Sequence, residues 1–180
     1  MLRNLLILVL IFNCFFCFSQ NKKTLIKEGN SLYNDSSYNM AEMKYRKSLE
    51  KDQDYFNAAF NLADAIYKQN RFEESTSLFD ALKDNARNNE DLARINHNLG
   101  NSYLKENKLE QAIEEYKSSL RLNPNDEETR YNLAYAQKMK QQQDQQQDQQ
   151  KDQQQDQQED QQEEQQQDQQ QEQQEEQQQE

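Results

Sequence analysis

The chain has 180 residues, with 21 basic side chains against 33 acidic ones, a formal charge of −12 and a pI near 4.6. That balance argues against nucleic acid or an anionic membrane surface as the main partner. Two glycines and one proline, against usual shares of about 7% and 5%, argue against turn-rich β folds and Gly-rich phosphate loops and favour an all-α chain.

Residues 1–19, MLRNLLILVLIFNCFFCFS, hold 15 hydrophobic side chains and one charge, Arg3. A short basic start, an apolar run and small residues near the end predict a secretory signal peptide, cut at Ser19–Gln20. The apolar run from Leu5 to Phe18 is short for a membrane span, which needs ~20 residues; an uncleaved signal anchor is the alternative. Cys14 and Cys17 do not follow a small-residue lipobox, so no lipid anchor is expected. Cleavage leaves no cysteine, and with it no disulfide, thiolate metal site or thiol catalysis.

Residues 1–140 are neutral, with 20 basic and 20 acidic side chains, because the whole net charge resides in residues 141–180. Three windows of 34 residues, 22–55, 56–89 and 93–126, align with one three-residue insertion. Gly29, Ala63 and Gly100 share the eighth place, so both glycines of the chain fall at one phase. Ala41, Ser75 and Ala112 share the twentieth, and Tyr45, Phe79 and Tyr116 the twenty-fourth. Small residues at the eighth and twentieth places let two antiparallel helices cross closely. The aromatic at the twenty-fourth fills the space toward the next unit. Turns are expected at Asn34–Tyr38, Lys68–Phe72 and Lys105–Leu109, with Asn70 and Asn107 tolerating left-handed backbone. Pro124 stops the last helix of the third window.

This pattern resembles the tetratricopeptide repeat family. Asn98-Leu99-Gly100-Asn101-Ser102-Tyr103, followed by Ala112, Tyr116, Leu120 and Pro124, carries the resemblance most clearly. The second window departs most, at Ser75 and Leu82, and the first has Gln53 in place of the proline. The resemblance implies an all-α solenoid (TPR domain 20–140) of three helix-turn-helix repeats plus a capping helix over 127–140. Asn125-Asp126-Glu127-Glu128 reads as the capped start of that helix. Leu133, Ala134 and Ala136 are placed to cover the last repeat, whose apolar face a solenoid cannot leave open.

The tail, 141–180, is ten tetrapeptides of the form Gln-Gln-x-acid, with 26 Gln, 7 Glu, 6 Asp and one Lys. A four-residue period drifts about 40° per repeat on a 3.6-residue helix, so the acids form no stripe and no apolar face exists. A fraying helical extension that grades into disorder is expected. The acids interrupt the glutamine runs and oppose aggregation. The tail has no calcium-loop spacing with a turn glycine, so a solvated spacer is the reading preferred over a calcium site.

Motifs for catalysis, cofactors or metals are missing from the sequence: there is no GxSxG, HExxH, P-loop or GxGxxG. The single histidine, His97, falls in mid-helix. The expectation is a non-enzyme with no cofactor and no metal. Binding is the better candidate. In the tetratricopeptide family the first helix of each unit lines a concave groove, and this phasing puts Asn30, Tyr33, Phe60, Asn61, Asp64, Tyr67, Arg94, His97, Asn98 and Asn101 near it. Tyr131 and Tyr135 extend the surface. The plain alternative is that these side chains solvate or pack. Chaperone-binding members clamp a carboxylate with several cations. Arg94 matches one of these, but Ile26 and Asn98 occupy two cation positions, which argues against such a clamp.

A narrower resemblance is carried by the signal, the repeats, and Asn123–Gln137 followed closely by the glutamine tail. Together these are similar to the periplasmic repeat proteins of the Bat aerotolerance operon. That family implies a noncatalytic envelope adaptor beside membrane-bound von Willebrand A-domain proteins. A periplasmic chaperone that holds clients and a self-assembling structural protein are the alternatives.

Overall fold

The computed structural model describes residues 21–151. The predicted signal, 1–19, and most of the tail lie outside the described residues. Among those described every regular element is helical. The elements are α1 (Lys22–Asn34), α2 (Tyr38–Lys51), α3 (Phe56–Lys68), α4 (Phe72–Leu82), a 3₁₀ turn (Lys83–Asn85), α5 (Asn89–Lys105) and α6 (Leu109–Leu122), then α7 over 127–151. The chain divides into a unit ending at Leu133 and a second beginning at Ala134. From α1 to α6 each helix packs on the next, and α3 also meets α1 and α5. The described part of the second unit, 134–151, is helical and includes the first eleven tail residues.

The hairpin turns follow from local backbone preference. Ser36, Asn70 and Asn107 have φ of 58°, 62° and 58°. In each case the next residue donates its N–H five residues back, Ser37 to Leu32, Arg71 to Ile66 and Lys108 to Tyr103. This is the six-to-one closure of a Schellman motif. Tyr33 and Tyr67 then pack edge-on against Tyr38 and Phe72 across the turn, at 5.2 and 5.3 Å between centroids. Serine is the least suited of the three to left-handed backbone. Ser36→Asn is therefore expected to raise stability by roughly 0.5 kcal/mol, seen as a higher urea midpoint with unchanged m-value.

The insertion before the third window lengthens α5. That helix begins at Asn89, and Asn88 caps it by accepting from the Asp91 N–H at 2.8 Å. Asp126 caps α7 in the same way, accepting from the Thr129 N–H at 3.0 Å.

The packing differs in one respect from what the phasing suggested. The aromatic at the twenty-fourth place does fill space toward the next unit: Tyr45 shares a buried cluster with Ala58, Leu62 and Ile66. It also lies flat on the eighth place of its own unit. A Cβ on Gly29 would stand 2.5 Å from Tyr45 Cε1, and one on Gly100 2.5 Å from Tyr116 Cε1. The glycines are there for the tyrosines. Where the middle repeat has Phe79, the eighth place accommodates Ala63.

Buried hydroxyls tie the helices of each hairpin together. Ser48 donates to the Lys22 carbonyl at 3.0 Å and Ser119 to the Ala93 carbonyl at 2.8 Å. In the middle repeat that phase is Leu82. There Ser75 donates instead to the Ala63 carbonyl at 3.0 Å. The two departures of the second window are thus a single exchange, in which the hydroxyl moves seven residues and still meets a carbonyl.

Candidate functional site

The inner face of the first unit is built from α1, α3 and α5. A groove of about 360 Å³ opens there, with walls that include Tyr33, Phe60, Asp64, Tyr67, Arg94, His97, Asn98 and Asn101. A smaller concavity of about 250 Å³ adjoins it through Tyr33 and Asp64 and includes Asn30 and Asn61. Ten of the residues singled out from sequence therefore line these two hollows. Tyr131, at the start of α7, is 72% exposed and lines neither. Tyr135 belongs to the second unit and is exposed. Lys68, Asp126 and Glu128 also line the groove and were missed by sequence reasoning. Lys68 lies one turn after Asp64, so its phase places it on the same face; the sequence of Asp126 and Glu128 signals only a capped helix start.

The asparagines form a repeated hydrogen-bond module. Asn30 Oδ1 accepts from the Tyr45 hydroxyl and from Asn61 Nδ2, both at 2.9 Å. Two units on, Asn101 Oδ1 accepts from the Tyr116 hydroxyl at 2.7 Å and from Asn132 Nδ2 at 3.0 Å. The same three phases of the window are used each time. Amides expected to meet a bound backbone are thus already engaged in holding the repeats together. Asn132 was also missed, although it stands at the phase of Asn61.

His97 is held from both sides. Asn101 Nδ2 donates to its Nε2 at 2.9 Å, and its Nδ1–H donates to Thr129 Oγ1 at 2.6 Å. The Thr129 hydroxyl donates onward to Asp126 Oδ2 at 2.7 Å. This order places the ring proton on Nδ1. Although burial works against it, the hydrogen bonds from Thr129 hold the Asp126 carboxyl below the usual carboxylate range. The chain of bonds immobilises His97 and gives it no nucleophile to activate. Among the described residues no group of three His, Cys, Asp or Glu side chains is placed to hold a metal ion.

The middle of the groove departs from the module. At the phase of Asn30 and Asn101 stands Asp64. The hydroxyl that would reach it is absent, because that aromatic is Phe79. The asparagine that would reach it, Asn98, turns its Nδ2 to the Arg94 carbonyl at 2.9 Å. Asp64 accepts a hydrogen bond from the Tyr33 hydroxyl, and Lys68 and Arg94 act on it by charge alone. The Arg94 guanidinium lies over the Phe60 ring, 4.3 Å from its centroid. Burial pushes the Asp64 carboxyl up and, together with its charge, pushes Tyr33 up as well. Burial likewise carries Tyr45 to about 12.

A carboxyl whose folded pKa exceeds its unfolded value binds its proton more tightly when native. Stability is then lost as pH rises through that window. Asp64→Asn is expected to raise Tm at pH 7, with the gain fading below about pH 4 as wild-type Asp64 is protonated in both states. Thermal melts of both proteins across pH 3–7 check this.

Stacked helical hairpins with a grooved inner face define a helical-repeat binding module. A tetratricopeptide repeat profile matches residues 26–90 and a second repeat profile of the same kind matches 100–141. Both stretches of the chain thus carry tetratricopeptide repeats. Its fold is similar to the first tetratricopeptide domain of Spaghetti (RPAP3) bound to the HSP90 peptide SRMEEVD, with 23% identity over 67% of this chain and 94% of that one, at a TM-score of 0.62. The first such domain of human RPAP3 gives 22%, 65%, 90% and 0.60. MamA 41-end from Desulfovibrio magneticus RS-1 gives 22%, 67%, 66% and 0.62. These likenesses establish the fold. No curated protein matches the chain in sequence.

Proposed function

We propose that the chain is a noncatalytic adaptor that holds an extended segment of a partner protein in the groove of α1, α3 and α5. The observation that carries this is the groove itself, an aromatic and polar trough at the family's usual peptide-binding face. The structural neighbour with an HSP90 peptide in place supports a protein partner in general. The acidic ending of that peptide suits this groove poorly, because Asp64 stands at its centre and Ile26 is buried where a clamp would need a cation.

The signal-like residues 1–19 and the stretch Asn123–Gln137, with the glutamine tail beginning at Gln141, support a finer reading. The protein is exported to the periplasm and works in a Bat-type stress complex with von Willebrand A-domain membrane proteins. The acidic tail serves as a solvated spacer.

A crosslinked pull-down from native envelopes, using the full chain and a form ending at Lys140, tests both levels. Recovery of A-domain proteins with both forms is expected. Many unrelated clients would favour a chaperone. Loss of every partner on truncation would move binding into the tail and overturn the groove.

A further inference from the structure

We infer that the centre of the groove takes the cationic head of a lysine or arginine from the bound segment, seated on the Asp64 carboxylate between Tyr33 and Tyr67. This deepens the adaptor reading and rests on it.

The first ground is the broken module. Asn30 and Asn101 each receive two donors at Oδ1, one from a tyrosine and one from an asparagine of the next helix. At the equivalent place in the middle repeat the acceptor has become a full negative charge, while both donors are withdrawn through Phe79 and the turned Asn98. The protein supplies one hydroxyl, from Tyr33. A half-buried carboxylate calls for charged or multiple donors, and an ammonium or guanidinium provides them.

The surroundings are the second ground. Tyr33, Phe60 and Tyr67 share the groove with Asp64. Aromatic faces suit the aliphatic stem of a long basic side chain and attract its charge. Lys68 and Arg94 also face the groove and oppose an incoming cation. Both are exposed, so water and salt screen them, whereas Asp64 is less screened. Arg94 is in addition committed to Phe60. With Asp126 and Glu128 at one end, the acids of the groove outnumber its Lys and Arg by three to two. An acidic segment is disfavoured on the same grounds, so the site sets specificity by repulsion as well as attraction.

Random dodecapeptides displayed on phage, selected against the full chain and against Asp64→Asn, test this. The full chain is expected to enrich peptides with Lys or Arg at one fixed position, and the variant to lose that preference. A selected peptide resynthesised with that residue as Gln should bind the full chain at least tenfold more weakly and the variant equally well. Asp64→Asn keeps an acceptor for Tyr33 and should fold at least as stably, so a lost preference will not reflect unfolding. A basic preference that persists in the variant would place cation binding elsewhere, for instance on the thirteen acids of the tail, and overturn the proposal. Enrichment with no basic position would overturn it while leaving the groove as a peptide site. If the full chain enriches no sequence, the groove reading falls and this proposal with it.

Discussion

Gly100→Ala is expected to destabilise the protein, although the same change in an ordinary helix interior stabilises by about 0.5–1 kcal/mol. The added Cβ would stand 2.5 Å from Tyr116 Cε1 and 2.6 Å from Cδ1. The ring cannot slide away easily, because its hydroxyl is tied to Asn101 at 2.7 Å and the side chain is fully buried. Overpacking of this kind costs roughly 1–3 kcal/mol, and Gly100→Leu at least as much. At the usual scaling for a domain of this size, that lowers Tm by about 4 °C or more. The middle repeat suggests the compensation. Ala63 faces Phe79, a ring with no hydroxyl to tether it. Gly100→Ala combined with Tyr116→Phe should therefore recover part of the loss, a positive coupling measurable in a double-mutant cycle. An unchanged Tm in Gly100→Ala would show that the helices do not cross where the phasing puts them.

The second large effect is expected at Asn101. Its oxygen accepts from Tyr116 and Asn132, and its nitrogen donates to His97. Asn101→Ala leaves three partners without it, among them the hydroxyl of fully buried Tyr116. Stranding a buried polar group costs roughly 1–3 kcal/mol, and members of a network lose more together than singly. A loss of about 2–3 kcal/mol in urea unfolding is the expected result. Asn30→Ala removes the same phase of the module in the first repeat, but Asn30 is exposed and water can take its place. A loss under about 1 kcal/mol is expected there. Equal effects at the two sites would mean that the burial of the third module does not matter.

Much of this architecture could be read locally. Asn70 and Asn107 announced their turns because left-handed backbone is a property of one residue and its neighbours. The caps at Asp126 and the stop at Pro124 are local in the same sense. The predicted turns at Asn34–Tyr38, Lys68–Phe72 and Lys105–Leu109 coincide with the helix ends for that reason. Ser36 went unread because serine carries only a weak left-handed signal.

The site was legible as a face and not as a set of bonds. Phase in a 34-residue window places Asn30, Asp64 and Asn101 on one surface, since periodicity fixes which side of a helix a residue occupies. It does not state which donors reach them. The pairings Asn30–Tyr45, Asn61–Asn30 and Asn101–Asn132 depend on ångström-scale approach between different helices, 15 to 31 residues apart in the chain. The twenty-fourth-place tyrosines illustrate the same limit, because their contact with the glycines of their own hairpin appears only once both helices are placed.

By itself the sequence determined the repeat class, the number of hairpins, their turns and the face that becomes the groove, all of which follow from short-range preference and period. Only the tertiary structure decided that most of the asparagines are structural, that His97 is locked, and that Asp64 meets the middle of the groove with too few donors. Hydrogen bonding is directional and satisfied across helices, so the difference between a committed amide and a waiting carboxylate exists only after the helices have packed.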